Sequence, residues 1–268
     1  MNKIIILILL QTLVIFTYAQ GWHISTKYFS QPQDLASERT EEVYLYKDYM
    51  KMVSGNLATV FNLVSNEIIY INTQNRTYWR GNPQRFVKEI RAEFEASIEE
   101  KLLTVEPHKQ EETRAMYMEM LESSFPTSQS RPSNPNSFTV QKVKDGERIS
   151  GFATAKYSVM ERGFLLETIW IAPELTIAKD FDFISLSHFL NQLAQGAYAD
   201  SFESSQEYFK LIERGYPVRV EIRRGDEATQ ISEVISAKRA NLSASDFAIP
   251  QGYSSSSLVG VGIWEGHW

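Results

Sequence analysis

Leu57-Ala58-Thr59-Val60-Phe61-Asn62-Leu63-Val64-Ser65-Asn66-Glu67-Ile68-Ile69-Tyr70-Ile71-Asn72-Thr73-Gln74-Asn75-Arg76-Thr77-Tyr78-Trp79 sets the fold. Leu57, Thr59, Phe61 and Leu63 recur at period two, the spacing of one strand face. Ser65-Asn66 breaks the run as a hairpin connection does. The next strand, Glu67 to Asn72, has an apolar centre on both faces. Thr73-Gln74-Asn75 turns the chain into Arg76–Trp79. Strands this close in sequence must pair antiparallel, because a parallel crossover needs a dozen or more residues. Upstream, Val43 to Val53 reads as a further strand, punctuated by Ser54-Gly55-Asn56.

The period changes at Asn82-Pro83, an N-cap followed by proline at the first helical position. Phe86, Ile90, Phe94, Ile98 and Leu102 then form one buried helical stripe, which Pro107 ends or kinks. A second helix spans about Lys109 to Ser123. Its methionines, Met116, Met118 and Met120, suit either core packing or an adaptable apolar lid. Residues 125–137, with Pro126, Pro132 and Pro135, are a loop.

Strands resume at Phe138 to Val143, with Asp145-Gly146 as a hairpin turn signal, and continue through Ala153–Met160 and Phe164–Ile171 about Glu161-Arg162-Gly163. Helical patterns cover about Lys179–Gln195 and Ser205–Glu213. Val218, Val220 and Ile222 alternate with charged residues, and a last strand covers Thr229 to Arg239. The expected architecture is α+β and mainly β. It is a single curved antiparallel sheet, a half-open barrel, whose helical insertions (about 82–123 and 179–213) cover the concave face. One domain spans 20–268.

Residues 1–19 have the order of a secretory signal peptide: Met1-Asn2-Lys3, an apolar run from Ile4 to Phe16, and a small residue at Ala19. The run is shorter than a membrane-spanning helix requires. The expected product is an exported protein, periplasmic or secreted, with no transmembrane segment after cleavage. It has no cysteine, which excludes disulfides, thiol catalysis, Cys-ligated zinc and a lipid-modified N-terminal cysteine. The net charge of −6 and the lack of a basic stripe argue against nucleic acid binding.

Five stretches occur together: Asn75–Trp79, Ser150-Gly151-Phe152-Ala153-Thr154-Ala155-Lys156-Tyr157, Glu167-Thr168-Ile169-Trp170-Ile171-Ala172, Gly215-Tyr216-Pro217-Val218 and Phe247-Ala248-Ile249-Pro250-Gln251-Gly252-Tyr253. Their order, over roughly Val43 to Tyr253, resembles a family of exported bacterial envelope proteins described only as a domain of unknown function. That family is similar to the LolA/LolB-type fold, which implies a half-open β-barrel wrapped over helices.

Catalytic signatures are missing, so no enzyme, cofactor or metal is expected. No Gly-x-Ser-x-Gly or His-Glu-x-x-His occurs, and His23, His108, His188 and His267 are scattered. A hydrolase would depend on a buried carboxylate or on His188. Gly260-Val261-Gly262 lacks a following helix for phosphate binding. Asp180 and Asp182 lack the glycine and distal glutamate of a calcium loop. Glu99-Glu100 and Glu111-Glu112 suit a solvated face. Asn75 and Asn241 head glycosylation sequons that matter only in a eukaryotic source.

The expected ligand is therefore a lipid or other apolar small molecule between sheet and helices, lined by Trp79, Met116, Met120, Trp170 and Phe189. The alternative is a structural or interaction protein of the envelope with a filled core, using strand edges or Trp264 and Trp268 to engage a protein partner.

Overall fold

The computed structural model describes residues 20–32, 38–124, 138–194, 201–223 and 229–262. The expected signal segment, the loop 125–137, Trp264, His267 and Trp268 lie outside them. Twelve strands form one sheet: β1 Gln20–Gln31, β2 Arg39–Tyr46, β3 Tyr49–Ser54, β4 Leu57–Asn62, β5 Glu67–Asn72, β6 Thr77–Gly81, β7 Phe138–Ile149, β8 Phe152–Glu161, β9 Phe164–Ala172, β10 Tyr216–Ile222, β11 Thr229–Asn241 and β12 Ser254–Ser255. The order is β12-β6-β5-β4-β3-β2-β1-β11-β10-β9-β8-β7. Two meanders, β1–β6 and β7–β11, are joined where β1 pairs antiparallel with β11 from Gln20↔Asn241 to Gln31↔Thr229. Among the described residues, every pairing between these strands is antiparallel except β12 with β6. The sheet is curved and does not close.

Several boundaries differ from the sequence reading. β1 lies outside the expected strands, because Ser25, Thr26 and Lys27 interrupt its apolar residues with polar ones. Val43–Val53 is two strands. Tyr46 pairs with Tyr49 across Lys47-Asp48, where Lys47 takes a left-handed φ of 51° without a glycine or asparagine to signal it. Asp145-Gly146 is not the hairpin turn. It lies inside β7 at a register shift, and the turn is Ser150-Gly151 between Ile149 and Phe152. Both turn residues have positive φ (48° and 91°), as do Arg162 and Gly163 (51° and 86°) in the β8–β9 hairpin. The right-handed strand twist favours such turns, and glycine adopts their second position at little cost.

Among the described residues, five helices accompany the sheet: α1 Pro83–Leu102, α2 Gln110–Ser124, α3 Phe183–Leu193, α4 Gln206–Ile212 and α5 Leu258–Val261. Asn82 caps α1 by accepting from Arg85 N at 2.8 Å. The helix ends at Leu102, ahead of Pro107, which opens a short 3-10 turn instead. α3 starts at Phe183 because Asp182 caps it.

Strands β4 and β5 are covered on both faces. Phe61 and Ile68 join Trp79, the α1 residues Phe86, Val87 and Ile90, Phe189 of α3 and Leu258 of α5 in one cluster. Their neighbours Ala58, Val60, Ile69 and Ile71 pack with Phe247. Adjacent strand residues point to opposite faces, so the helices and the segment around Phe247 lie on opposite sides. β9 is divided in the same way. Trp170 and Ala172 join the cluster containing Leu186 of α3, whereas Ile169 and Ile171 join Leu211 of α4. The expected 179–213 insertion thus serves two faces of β9.

Candidate functional site

The cleft beside α3 is built by three elements. The β2–β3 turn supplies Lys47 and Asp48, the segment entering α3 supplies residues 178–184, and α4 supplies its C-terminal turn. Lys47 makes a parallel bridge to Phe181, which ties the turn to that segment. The opening holds about 380 Å³ and is walled by Phe181, Phe183, Ile184, Phe209 and Ile212. Phe181 and Phe183 meet edge to face at 5.1 Å, and Phe183 lies 6.3 Å from Tyr216.

The rim charges have defined roles. Asp180 accepts from Trp22 Nε1 at 3.0 Å and from Arg239 at 2.8 Å. Asp182 accepts from the N–H groups of Ile184 and Ser185 at 3.0 Å each, and the Ser185 N–H leads in holding its carboxyl below the usual carboxylate range. The cap uses the donors a bound anion would need at α3. Lys47 places its ammonium 5.2 Å from the Tyr46 ring. Lys179, Asp48 and Glu213 complete an acidic rim, in which Lys47 and Lys179 face four carboxylates. Among the described residues, no serine, threonine or histidine lines the cleft, so it offers apolar contact and fixed charge in equal measure.

Of the anticipated lining residues, Trp79 and Phe189 come together in the α1–α3 cluster and Trp170 in the neighbouring one. All three are buried. Met116 and Met120 are about half exposed on α2 and are not brought to them. Trp79 Nε1 donates to Glu89 at 2.6 Å, and Trp170 Nε1 to Glu147 at 3.0 Å.

Two polar groupings escape the sequence reading because their members are far apart in the chain. His23 Nε2 lies 2.6 Å from Glu42 Oε2, Ser25 Oγ donates to Glu42 Oε1 at 2.7 Å, and Tyr44 stacks on His23 at 4.5 Å. Serine and histidine both address the carboxylate, so they form no serine-to-histidine proton relay. Glu167 is buried on β9, where burial and then the Glu203 carboxylate push it up to about 8. His188 is exposed. Among the described residues, no three His, Asp or Glu side chains are grouped to hold a metal, and no helix is long and apolar enough to cross a membrane. In α5, Gly260 N donates to the Ser257 cap and Val259 N to Glu93, so the glycine motif's donors are already engaged.

An open, twelve-stranded, mainly antiparallel sheet carrying five helices defines an α+β protein dominated by β structure. Residues 100–253 match the family model Domain of unknown function (DUF4412), and the chain belongs to that family. No curated protein matches it. Two solved structures of PNGF-II, in different space groups, are similar at a TM-score of 0.35 and 9% identity. The match covers 92% of this chain and 34% and 33% of theirs, so this chain spans about a third of their length.

Proposed function

We propose that this chain is an exported envelope protein that binds or carries an apolar ligand, a lipid or acyl chain, without catalysing a reaction. In this reading residues 1–19 direct export. α1 and α3 cover the concave side of a LolA/LolB-like half-barrel, and the ligand's apolar part enters at the cleft beside α3. The observation that carries the proposal is the cleft itself: about 380 Å³, with Ala178, Phe181, Phe183, Ile184, Phe209 and Ile212 forming the apolar half of a lining whose other half is charged. That volume falls within the range of small-molecule sites. Each CH₂ buried there contributes about 0.8 kcal/mol. Protein purified from its native envelope should release lipid on organic extraction, detected by mass spectrometry. A ligand-free protein would count against the proposal.

A filled interior supports a second reading, a structural or interaction protein. Trp79, Trp170 and Phe189 are each no more than 3% exposed, leaving the anticipated seam occupied by side chains. Leu258 and Val261 belong to the core, so a partner test should remove only residues 263–268. Loss of partner capture with lipid uptake unchanged would favour this second reading.

A further inference from the structure

α2 packs chiefly on α1, with Leu121 buried in the cluster that contains Ile90. Its solvent-facing side sets methionines among glutamates. Met116 and Met120 are each 51% exposed, and Leu103 in the preceding turn is 83% exposed. Glu112, Met116, Glu119 and Met120 fall at i, i+4, i+7 and i+8, one continuous stripe directed away from Leu121.

The charge around the stripe is predominantly negative. Residues 83–124 hold ten glutamates against six lysines and arginines, so this hairpin carries −4 of the chain's −6. Four of its cations are already paired: Arg85 with Glu89, Arg91 with Glu122, Lys109 with Glu106 and Arg114 with Glu99.

We propose that the outer stripe of α2 is a docking surface for a basic amphipathic helix of a partner protein. The partner's apolar residues pack on Met116 and Met120, and its lysines or arginines face Glu112 and Glu119. Flexible, polarizable thioethers accommodate varied apolar shapes. Opposite charge gives orientation and speeds encounter. The same glutamates repel an anionic bilayer surface, which selects a protein partner over a membrane. This surface is separate from the cleft and does not depend on lipid binding.

The test uses residues 20–268 with ¹³C-methyl-labelled methionine and a synthetic amphipathic helical peptide of leucine and lysine. The same peptide with glutamate replacing lysine is the control. The basic peptide should shift the Met116 and Met120 methyl resonances, and binding should weaken as salt rises. Glu112→Gln/Glu119→Gln and Met116→Gln/Met120→Gln should each weaken binding by roughly tenfold while leaving the melting temperature unchanged. Equal binding of the acidic peptide, shifts confined to other methyls, binding unaltered in both variants, or preferential uptake by phosphatidylglycerol vesicles would overturn the proposal.

Discussion

Trp22 Nε1 donates to Asp180 Oδ2 at 3.0 Å across 158 residues of chain, and Arg239 both pairs with that carboxylate at 2.8 Å and lies 4.2 Å from the Trp22 ring. One acidic residue thereby ties β1, β11 and the segment entering α3 together, beside the cleft. Trp79 has the same arrangement with Glu89 and Arg85, whose guanidinium is 5.5 Å from the ring and whose Nε bonds Glu89. At Trp170 the roles are divided, with Glu147 accepting from Nε1 and pairing with Lys144 while Lys156 overlies the ring. A buried indole N–H requires an acceptor, and a cation over the ring adds attraction.

Asp180→Ala therefore leaves the Trp22 N–H without its acceptor and should cost about 1–3 kcal/mol of stability. Urea unfolding measures this. Asp180→Asn keeps an acceptor and should recover part of the loss. An unchanged midpoint for Asp180→Ala would show that the tie contributes nothing.

Glu167 links stability to pH. Its folded-state pKa, about 8, lies above the ordinary carboxyl value of 4.5. The folded protein therefore holds a proton that the unfolded chain releases between those pH values. Stability should be greatest below about pH 4.5 on this account and fall as pH rises towards 8, by about 5 kcal/mol at most. Glu167→Gln should flatten that slope and gain stability at pH 9. Denaturant midpoints across pH 5 to 9 provide the check, and parallel curves for the two proteins would refute it.

The two helix caps should differ in their response to acid. Asn82→Ala and Asp182→Ala each remove an N-cap acceptor and should cost about 1 kcal/mol near neutral pH. Asp182 has a depressed pKa, so its contribution is present above the unfolded value of about 3.8 and is lost as pH falls through the lower folded value. The cost of Asp182→Ala should shrink in that acid range, while the cost of Asn82→Ala should not. Thermal melts at pH 7 and pH 2.5 compare them.

Gly151 has a φ of 91°, and a Cβ at this position would meet nothing within 4 Å, so only backbone conformation opposes substitution. Gly151→Val should destabilise by about 1–2 kcal/mol through left-handed strain alone. Circular dichroism melts would read this, and a neutral result would contradict the turn assignment.

The parts of the fold legible in sequence are those written locally. The Phe86, Ile90, Ile98 and Leu102 stripe, the Asn82 cap and the Arg162-Gly163 turn each follow from a few adjacent residues. What escapes depends on distant partners. β1 is stabilised by two neighbouring strands, including one more than 200 residues away, and its polar centre hides it from period-two reading. The Lys47-Asp48 turn lacks glycine, and Asp145-Gly146 forms a bulge within a longer strand. The cleft is equally hidden. Phe183 and Phe209 look like ordinary helix-face residues, and only the packing of α3 near α4 leaves space between them.

Titration of a fluorescent fatty acid into residues 20–268, in parallel with Ile184→Asp, tests the central claim most directly. Ile184 is 52% exposed on the cleft wall, so the substitution alters the cleft without opening the core. Saturable uptake by the native chain, weakened at least about tenfold in Ile184→Asp with an unchanged melt, is the predicted result. No uptake, or equal uptake by both proteins, would contradict it.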